Sequence, residues 1–454
     1  MGVHLRPLPE RMAIRVPIDR LRQPFDALLG AQTTGGILLF LAAVAAMIWA
    51  NSPWAEGYHH FWEQHVILGS PEWNLDLSLH HWINDGLMAM FFFVVGLELK
   101  REMVAGELSR PRDAMLPIAA AIGGMVVPAL LYLWQNPTGP AHAGWGIPMA
   151  TDIAFALGLM ALLGKRVPIS LKIFLTTLAV ADDLGAVVVI ALFYTSDISM
   201  LNLGIGAGIL GIMLAGNRLG VRSPWFYAIF GIGGVWTAFL MSGVHATIAG
   251  VLAAFAIPAT PKVDEMVFVR RMRLYLHSYA KQDTPENGIR TSDQIHELAR
   301  MNRMTEYAST PLQNLEHALH PLVTFIVLPL FALANAGVAL PDDLLGALAT
   351  PVALGVGLGL VLGKPIGVLL MSYIMVRFAG AKLGNGVTWH HMAGAGLLAG
   401  IGFTMSLFVN ELAFSDVVLQ QEAKLGVLCA SLLAGVVGYV WLVRTPKKKT
   451  TAED

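Results

Sequence analysis

Long apolar runs, separated by polar or Pro- and Gly-rich stretches, recur along the whole chain and constrain its fold more than any other feature. The 454 residues are 55% hydrophobic and only 13% charged, whereas an ordinary soluble domain carries roughly 25% charged residues. The hydrocarbon core of a bilayer is about 30 Å thick and takes ~20 mostly apolar residues per helical span. The sequence therefore predicts an all-α polytopic membrane protein and excludes a soluble globular domain.

Twelve candidate transmembrane helices can be placed on these runs. They begin near Gly35, Leu77, Met115, Gly146, Lys172, Leu201, Trp225, Val244, His317, Pro351, His391 and Lys424. The chain then divides into an N-terminal tail (1–34), spans one to eight (35–257), a long basic loop (258–315), spans nine to twelve (316–443) and a basic tail (444–454). The first 34 residues contain no long apolar run, so we expect no signal peptide to be removed.

Basic residues alternate between successive loops in this arrangement. Of the 30 Lys and Arg residues, 28 lie in the two tails or in every second loop, and the intervening loops, around residues 54–76, 135–145, 195–200 and 339–349, contain none. By the positive-inside rule, both termini are predicted to be cytoplasmic. The basic residues are balanced by 31 acidic ones, so the net charge gives no reason to expect nucleic acid as a partner. The single cysteine, Cys429, excludes an internal disulfide.

Two segments outside the predicted spans have patterns of their own. Alternating apolar residues between Trp73 and Leu79 allow a small outer-side β-hairpin over residues 65–79, and an irregular loop is the alternative. In the long loop, apolar residues between Val263 and Tyr279 recur at roughly helical spacing among basic residues. This pattern suits a helix on the membrane surface, with a solvated linker as the alternative.

Ionisable residues inside predicted spans are the strongest functional signal, because each costs at least ~2.5 kcal/mol to insert into a bilayer. Asp182 and Asp183 lie near the midpoint of the fifth span, and Lys364 lies in the tenth. Adjacent helix positions differ by ~100°, so the two carboxylates point in different directions. We expect a buried ion pair between an aspartate and Lys364. Such a pair could also join two helices without any role in transport.

The fourth and eleventh spans contain residues that weaken a helix. Pro148 lies four residues before Asp152 in the fourth span, and Gly400 and Gly402 lie in the eleventh. An interruption near mid-membrane would leave charged half-helix ends, which Asp152 and Lys364 have the signs to offset. Glycines in membrane helices also serve close packing, so the pattern alone leaves both interpretations open.

Five motifs together resemble the NhaA sodium/proton antiporters. They are Gly96-Leu97-Glu98-Leu99-Lys100-Arg101-Glu102, Thr151-Asp152-Ile153-Ala154-Phe155-Ala156, Asp182-Asp183-Leu184-Gly185, Leu315-Glu316-His317-Ala318-Leu319-His320-Pro321 and Gly402-Phe403-Thr404-Met405-Ser406. The resemblance runs from about Gly35 to Val443. It implies twelve transmembrane helices with inverted repeats, spans three to five and ten to twelve, in which the fourth and eleventh helices are interrupted and cross. It also implies a bacterial inner-membrane location and a homodimer to which the hairpin contributes.

The resemblance further implies roles for individual residues. Asp183 would be the main sodium ligand, Asp182 its neighbour paired with Lys364, and Asp152 the residue that balances the crossing. A set of polar residues at one end of the second and ninth spans would sense pH: Glu98, Arg101, Glu102, Glu316, His317 and His320. A charged interfacial rim is the alternative for that set. Asp85 matches an acidic position of the ion funnel, with an ordinary helix-start acid as the alternative.

The chemistry of the ion fits these residues without a cofactor. Sodium is a hard cation that favours oxygen ligands, and Asp182, Asp183, Thr151 and freed backbone carbonyls supply them. Because a buried carboxylate lacks the water that stabilises its charge, protons and sodium can compete for the same oxygens at cellular pH. The predicted function is therefore export of Na⁺, with Li⁺ as a possible substitute, in exchange for H⁺, by a transporter and not an enzyme.

Two other functions remain as alternatives. An intramembrane aspartyl protease could place two carboxylates around a water, but it needs no buried lysine, and residues 180 to 183 read Val-Ala-Asp-Asp instead of Gly-x-Gly-Asp. A sodium-coupled symporter of similar fold would share the site with an organic solute. The loop of residues 258–315 is longer than the connection usual in the family, which allows either different regulation or simple tolerance at a surface.

Overall fold

The computed structural model describes residues 32–70, 73–195, 198–282 and 290–445, and nearly all regular structure in these ranges is helical. The helices, the fifth of which is a 3₁₀ helix, are α1 (Gln32–Ala50), α2 (Ala55–Glu63), α3 (Leu79–Ala105), α4 (Pro111–Gln135), α5 (Pro140–Met149), α6 (Ile153–Leu162), α7 (Ile169–Phe193), α8 (Met200–Arg218), α9 (Pro224–Leu240), α10 (Ala246–Ala256), α11 (Glu265–Ala280), α12 (Ser292–Ala308), α13 (Pro311–Asn335), α14 (Leu344–Leu348), α15 (Pro351–Phe378), α16 (Trp389–Ala399), α17 (Phe403–Ala413) and α18 (Val417–Arg444). The predicted tail of residues 1–34 lies almost wholly outside the described residues, as does the basic tail beyond Thr445.

The helices agree with the predicted all-α polytopic membrane protein. Within the described ranges, eight helical stretches are long and apolar enough to cross a membrane, and ten if each of the bent pairs α1–α2 and α16–α17 is one span. The stretch formed by α5 and α6 counts once among the eight. Helices α9 and α10, at the predicted seventh and eighth spans, are shorter apolar helices.

The only strands in the part of the chain described form a hairpin before α3. Strands β1 (His65–Ser70) and β2 (Trp73–Ser78) pair antiparallel, with His65 opposite Ser78. His65 Nδ1 lies 2.7 Å from Asp76 Oδ1 across the pair. The indole of Trp82, in the first turns of α3, donates a hydrogen bond to Val66 O at 3.2 Å. Of the two conformations that the alternating pattern allowed, the chain adopts the hairpin.

The long loop of residues 258–315 contains two packed helices, α11 and α12. Helix α12 begins with a capping box, in which Thr291 and Gln294 each bond the backbone N–H of the other. The carboxylate of Glu297 is nearly buried and accepts hydrogen bonds from Ser278 on α11 and from Arg300. The segment predicted as helical between Val263 and Tyr279 corresponds to α11, and its position on a membrane surface stays a prediction.

Helices α4 and α15 pack closely against each other in the core, at the level of Lys364. Gly123 and Gly367 face each other, and a Cβ added to either would overlap the backbone of the other helix. A π-helical turn, Gly359–Gly363, interrupts α15 immediately before Lys364. The aliphatic stem of this lysine then passes Gly124, where an added Cβ would lie 3.6 Å from Lys364 Cδ and 3.1 Å from Val368 Cγ2. Gly123 and Gly367 therefore allow the close approach of α4 to the helix that carries Lys364.

Candidate ion site at the helix crossing

Two transmembrane stretches lose helical structure near their middle. The chain is non-helical at residues 150–152, between α5 and α6, and at residues 400–402, between α16 and α17, where the axis bends by 45°. Pro148 lacks a backbone N–H and so favours the first break. A side chain at Gly400 would collide with the backbone of α15 at Leu360. Each break leaves carbonyls at the end of one half-helix and N–H groups at the start of the next without helical partners.

The two breaks lie against each other and are joined by direct hydrogen bonds. Asp152 N donates to Ile401 O at 2.6 Å, Thr151 Oγ1 donates to Ala399 O at 2.9 Å, and Ser406 Oγ donates to Ile147 O at 2.7 Å. Every acceptor in this set is a backbone carbonyl in or beside a break. Because the bilayer core offers no water to unpaired backbone, irregular structure at this depth must be satisfied within the protein.

Asp152 lies where the N-termini of α6 and α17 meet. Its Oδ1 accepts a hydrogen bond from Phe155 N at 3.0 Å, as the N-cap of α6. Its Oδ2 accepts from Thr404 N at 3.1 Å and from Thr404 Oγ1 at 2.6 Å, in the first turn of α17. Helix N-termini carry partial positive charge, so a single carboxylate offsets two of them.

Lys364 has the complementary position at a half-helix C-terminus. Its side chain is fully buried, and Nζ donates both to Asp182 Oδ2, at 2.5 Å, and to the carbonyl of Met149, the last residue of α5. The lysine therefore neutralises one aspartate and the partial negative charge of a helix end together. The pairing expected between Lys364 and an aspartate is with Asp182, as the resemblance implied.

Asp183 differs from its neighbour because neither of its carboxylate oxygens has a hydrogen-bond donor among the described residues. Both aspartates are 0% exposed, and Asp182 Oδ1 also has no partner. Three buried carboxylate oxygens are thus unsatisfied in one part of α7, where leaving a charged group unpaired costs several kcal/mol. A cation or a proton is what such oxygens require. Thr151 is also fully buried, and its hydroxyl donates a hydrogen bond to Ala399 O. Only the lone pairs of its hydroxyl oxygen are therefore left to bind a cation.

A cavity of about 620 Å³ opens along the first turns of α7, on the N-terminal side of the aspartates. It lies at the ends of α3 and α6 and the beginnings of α4 and α7, and its polar lining includes Glu102, Arg110, Asp113, Lys172, Thr176 and Thr177. Lys172, Thr176 and Asp183 share one face of α7 because they are four and seven residues apart. The axial rise from Thr176 to Asp183 is ~10 Å, so the cavity reaches toward the face that carries Asp183.

A cluster of charged residues joins α3 to α13 near this cavity. The guanidinium of Arg101 lies 3.0 Å from Glu102, 3.4 Å from Glu316 and 3.9 Å from Glu98. His317 and His320 are exposed, and among the described residues neither lies within ion-pair distance of an acidic side chain. The structure therefore brings four of the six predicted pH-sensing residues into contact. The two histidines lie on the same helix outside that contact.

Asp85 lies far from this cluster, in the π-helical first turns of α3. It precedes Glu98 by thirteen residues, which corresponds to ~20 Å along the helix. Its backbone carbonyl accepts a hydrogen bond from the indole of Trp236 at 3.0 Å. Asp85 thus lies toward the opposite end of α3 from the cluster.

Two residues with buried partners, one at the crossing and one outside it, escaped prediction from sequence. Thr404 donates to Asp152 from both its N–H and its hydroxyl, and its position two residues after Gly402 is the signal that could have identified it as a donor at a helix start. Glu411 lies in the predicted eleventh span and forms an ion pair with Lys424 at 2.7 Å, with side-chain exposures of 11% and 8%. The rule that selected Asp182 applies equally to Glu411. Helix α18 begins at Val417, so Lys424 lies inside it and not at its start.

Comparison with known proteins assigns the chain to a family. A family model described as Na+/H+ antiporter 1 matches residues 26–442. The Na(+)/H(+) antiporter NhaA 2 of Syntrophotalea carbinolica is 49% identical over 94% of this chain and 98% of the relative. The Na(+)/H(+) antiporters NhaA of Oleidesulfovibrio alaskensis and Acidithiobacillus ferrooxidans are each 50% identical, over 93% and 94% of this chain and 94% and 98% of the relatives. The chain therefore belongs to the Na+/H+ antiporter 1 family, whose NhaA members are secondary transporters and not enzymes.

Proposed function

We propose that this chain exports Na⁺ in exchange for H⁺, by competition of the two ions for Asp183 and Asp182. The observation that carries the proposal is the group of three buried carboxylate oxygens of Asp182 and Asp183 on α7 that have no hydrogen-bond donor among the described residues. Within those residues, no three His, Cys, Asp or Glu side chains are grouped as a resident metal centre requires. A site with two adjacent carboxylates instead suits a weakly held monovalent ion that is released in each cycle.

Competition follows from the cost of burying charge. An unpaired carboxylate at this depth is stable only when a proton or a cation neutralises it. Sodium can take oxygens from Asp183, from Asp182 Oδ1 and from Thr151, all of which are fully buried. The two aspartates titrate as a coupled set, so no single proton is assigned to either. If the site changes sides only when loaded, a proton gradient drives sodium the opposite way.

The crossing supplies the element that would move. Helices α6 and α17 are short, begin at mid-membrane and share the carboxylate of Asp152, while Lys364 ties the end of α5 to Asp182. When Asp182 or Asp183 takes up an ion, the carboxylate loses its negative charge and no longer balances the positive charge of Lys364. This change alters the electrostatic forces at the half-helix ends. Ion binding thereby biases the position of the half-helices relative to their neighbours.

The remaining architecture is proposed by the same reasoning. The sequence pattern gives twelve spans with both termini cytoplasmic, in a bacterial inner membrane. Spans three to five (α4, α5–α6, α7) and ten to twelve (α15, α16–α17, α18) each have a break in the middle span, which supports a pair of inverted repeats. The cavity beside Lys172 is then the cytoplasmic entrance. A homodimer through the β1–β2 hairpin and acceptance of Li⁺ are further parts of the proposal.

The Arg101 cluster would regulate exchange, with activation at alkaline pH. Three carboxylates share one guanidinium there, so net charge in the cluster changes when any of them takes up a proton. His317 and His320 lie on the same helix as Glu316, within four residues of it, and are proposed as part of the same sensor. Such regulation would make the exporter part of pH and sodium homeostasis.

Exchange can be tested in everted membrane vesicles that carry an imposed pH gradient. Addition of Na⁺ should collapse the gradient, and Asp183→Asn should abolish the collapse while Glu411→Gln retains it. Unchanged exchange by Asp183→Asn would remove the central assignment. Uptake of an organic solute that requires Na⁺, without proton counterflow, would instead favour a symporter. A protein that cleaves membrane peptides and exchanges no ions would favour the aspartyl protease.

A further inference from the structure

A large apolar groove lies on the outer surface of the helix crossing, between α1, α6 and α18. Its volume is about 790 Å³, within the range of roughly 300–1,000 Å³ that is typical of ligand pockets. Side chains in its lining include Phe40, Met47, Phe155, Ile401, Leu428 and Leu432. All of its lining residues are described by the structure, and none of them is charged.

The shape of the groove suits a long, narrow apolar ligand. Along α18 its lining extends from Leu425 to Val440, a rise of ~22 Å, which exceeds half of the hydrocarbon thickness of about 30 Å. Leu432 and Val436 line it and are 61% and 55% exposed, so the groove is open on the side where the bilayer lies. An acyl chain can enter it directly from the membrane.

The two ends of the groove carry opposite charge. At one end, Val440 precedes exposed Arg444 by one helical turn, and exposed Arg166 donates a hydrogen bond to the carbonyl of Val443 at 3.3 Å. At the other end, Leu344 directly follows two exposed acids, Asp342 and Asp343. A phosphate would be attracted to the arginine end and repelled from the acidic end.

We propose that this groove binds one acyl chain of an anionic phospholipid, whose phosphate lies against Arg166 and Arg444. The proposed ligand is a diacyl phospholipid with one chain in the groove. It belongs to the membrane leaflet whose headgroups lie at the level of the two arginines. Basic pockets between transmembrane helices are a known form of site for anionic headgroups. An acyl methylene has about the same hydrophobic free energy in the groove as in the bilayer. The specificity of binding therefore comes from the shape of the groove and from the two guanidinium groups.

The bound chain would contact the crossing itself. Ile401, which lies in the groove, accepts the backbone hydrogen bond of Asp152. The rings of Phe155 and Phe403, also in the lining, pack edge to face with centroids 5.3 Å apart. A lipid in the groove therefore supports the residues that hold both half-helices. It follows that lipid composition changes the exchange rate, and this consequence alone rests on the proposed function.

Binding is tested by filling the groove from α18. Purified protein in detergent is titrated with dioleoylphosphatidylglycerol, and bound lipid is followed by native mass spectrometry and by the thermal unfolding midpoint. Leu432→Trp should remove the bound-lipid peak and the rise in midpoint, whereas Leu433→Trp, also lipid-exposed at 51% but outside the lining, should keep both. Val436→Trp and Val437→Trp form a second matched pair if Leu432→Trp does not fold. Equal lipid binding in both members of a folded pair would overturn the proposal.

The headgroup is tested by its charge. The double variant Arg166→Ala, Arg444→Ala should reduce the effect of dioleoylphosphatidylglycerol to that of dioleoylphosphatidylcholine. Glycerol phosphate, which has the phosphate but no acyl chain, should give no rise in midpoint. A full effect of glycerol phosphate, no preference for the anionic lipid in the wild type, or a change of oligomeric state in Leu432→Trp would each contradict the proposed occupant. In proteoliposomes, exchange should be faster with the anionic lipid, and that difference should be absent in Leu432→Trp.

Discussion

Among the residues that the structure describes, two buried lysine–carboxylate pairs look alike in isolation and differ in their surroundings. Lys364 and Asp182 are 2.5 Å apart with both side chains 0% exposed, and Lys424 and Glu411 are 2.7 Å apart with exposures of 8% and 11%. The first pair adjoins the unpartnered Asp183. The residues on either side of Glu411, Asn410 and Leu412, bring no second carboxylate.

The difference between the pairs concerns the backbone as well as charge. Lys364 also bonds the carbonyl at the end of α5, beside a break in the helix. Lys424 lies within the continuous helix α18 and joins it to α17. A buried ion pair is by itself weak support for a functional role. A carboxylate with neither oxygen hydrogen-bonded, that of Asp183, together with half-helix ends, is what distinguishes the crossing as a candidate transport site.

The largest expected difference between the pairs is in exchange itself. Asp183→Asn keeps the size of the side chain but cannot carry a charge, so Na⁺-dependent exchange should be lost. Glu411→Gln, which makes the same chemical change at the second pair, should keep exchange. Rates are measured in proteoliposomes with a pH-sensitive dye inside. Equal loss in both variants would mean that the two pairs belong to one transport path.

The next expected difference is in stability. Lys364→Gln leaves Asp182 and the Met149 carbonyl without their shared donor, and breaking a buried pair in this way costs about 3–5 kcal/mol. Lys424→Gln should cost less, because Lys424 bonds only Glu411 among the described residues, whereas Lys364 also bonds a backbone carbonyl. The thermal unfolding midpoints in one detergent provide the comparison. A larger drop for Lys424→Gln would contradict the ranking of the two pairs.

Removal of the shared cap should have an intermediate effect on the crossing. Asp152→Ala removes hydrogen-bond acceptors from two helix N-termini, each worth about 1 kcal/mol, and should lower both stability and exchange rate. Thr404→Val removes only one hydroxyl donor and should do less, while Ser406→Ala serves as a matched control that loses a different crossing contact. An Asp152→Ala protein with wild-type exchange would exclude charge balance at the crossing as part of the mechanism.

The smallest expected effect comes from removing the second pair altogether. The double variant Glu411→Gln, Lys424→Gln leaves no uncompensated charge, so stability should return close to that of the wild type. Exchange should also be unchanged. A double-mutant cycle of unfolding midpoints measures the coupling between the two residues. Loss of exchange in the double variant, with a normal midpoint, would give this pair a role in transport.

Local sequence features predicted the parts of the site that depend on composition. Asp182, Asp183 and Lys364 stand out because charges in apolar runs are rare, and Pro148 and Gly400 indicated where helices break. The partners of these residues, such as Met149 O for Lys364 and Thr404 for Asp152, could not be predicted. These contacts join residues more than two hundred positions apart, so they depend on how distant helices pack against each other.

Helix starts show the same limit. A charged residue usually marks the end of an apolar run, so the sequence predicts a start near Lys424 for the last helix. The helix begins at Val417, seven residues earlier. In the fold, Glu411 neutralises that lysine and the helix continues past it. A charge in a single sequence thus looks like a helix end until its partner is known. The π-helical turn before Lys364 likewise has no distinct signal in the sequence.

The most direct test of the central claim measures protons released when sodium binds. Purified protein in a weakly buffered detergent solution near neutral pH receives a pulse of NaCl, and a pH dye records released protons, with choline chloride as the control salt. The account predicts release from the wild type and from Glu411→Gln, and none from Asp183→Asn. Sodium binding without proton release from the wild type, or equal release from Asp183→Asn, would contradict competition at the buried aspartates.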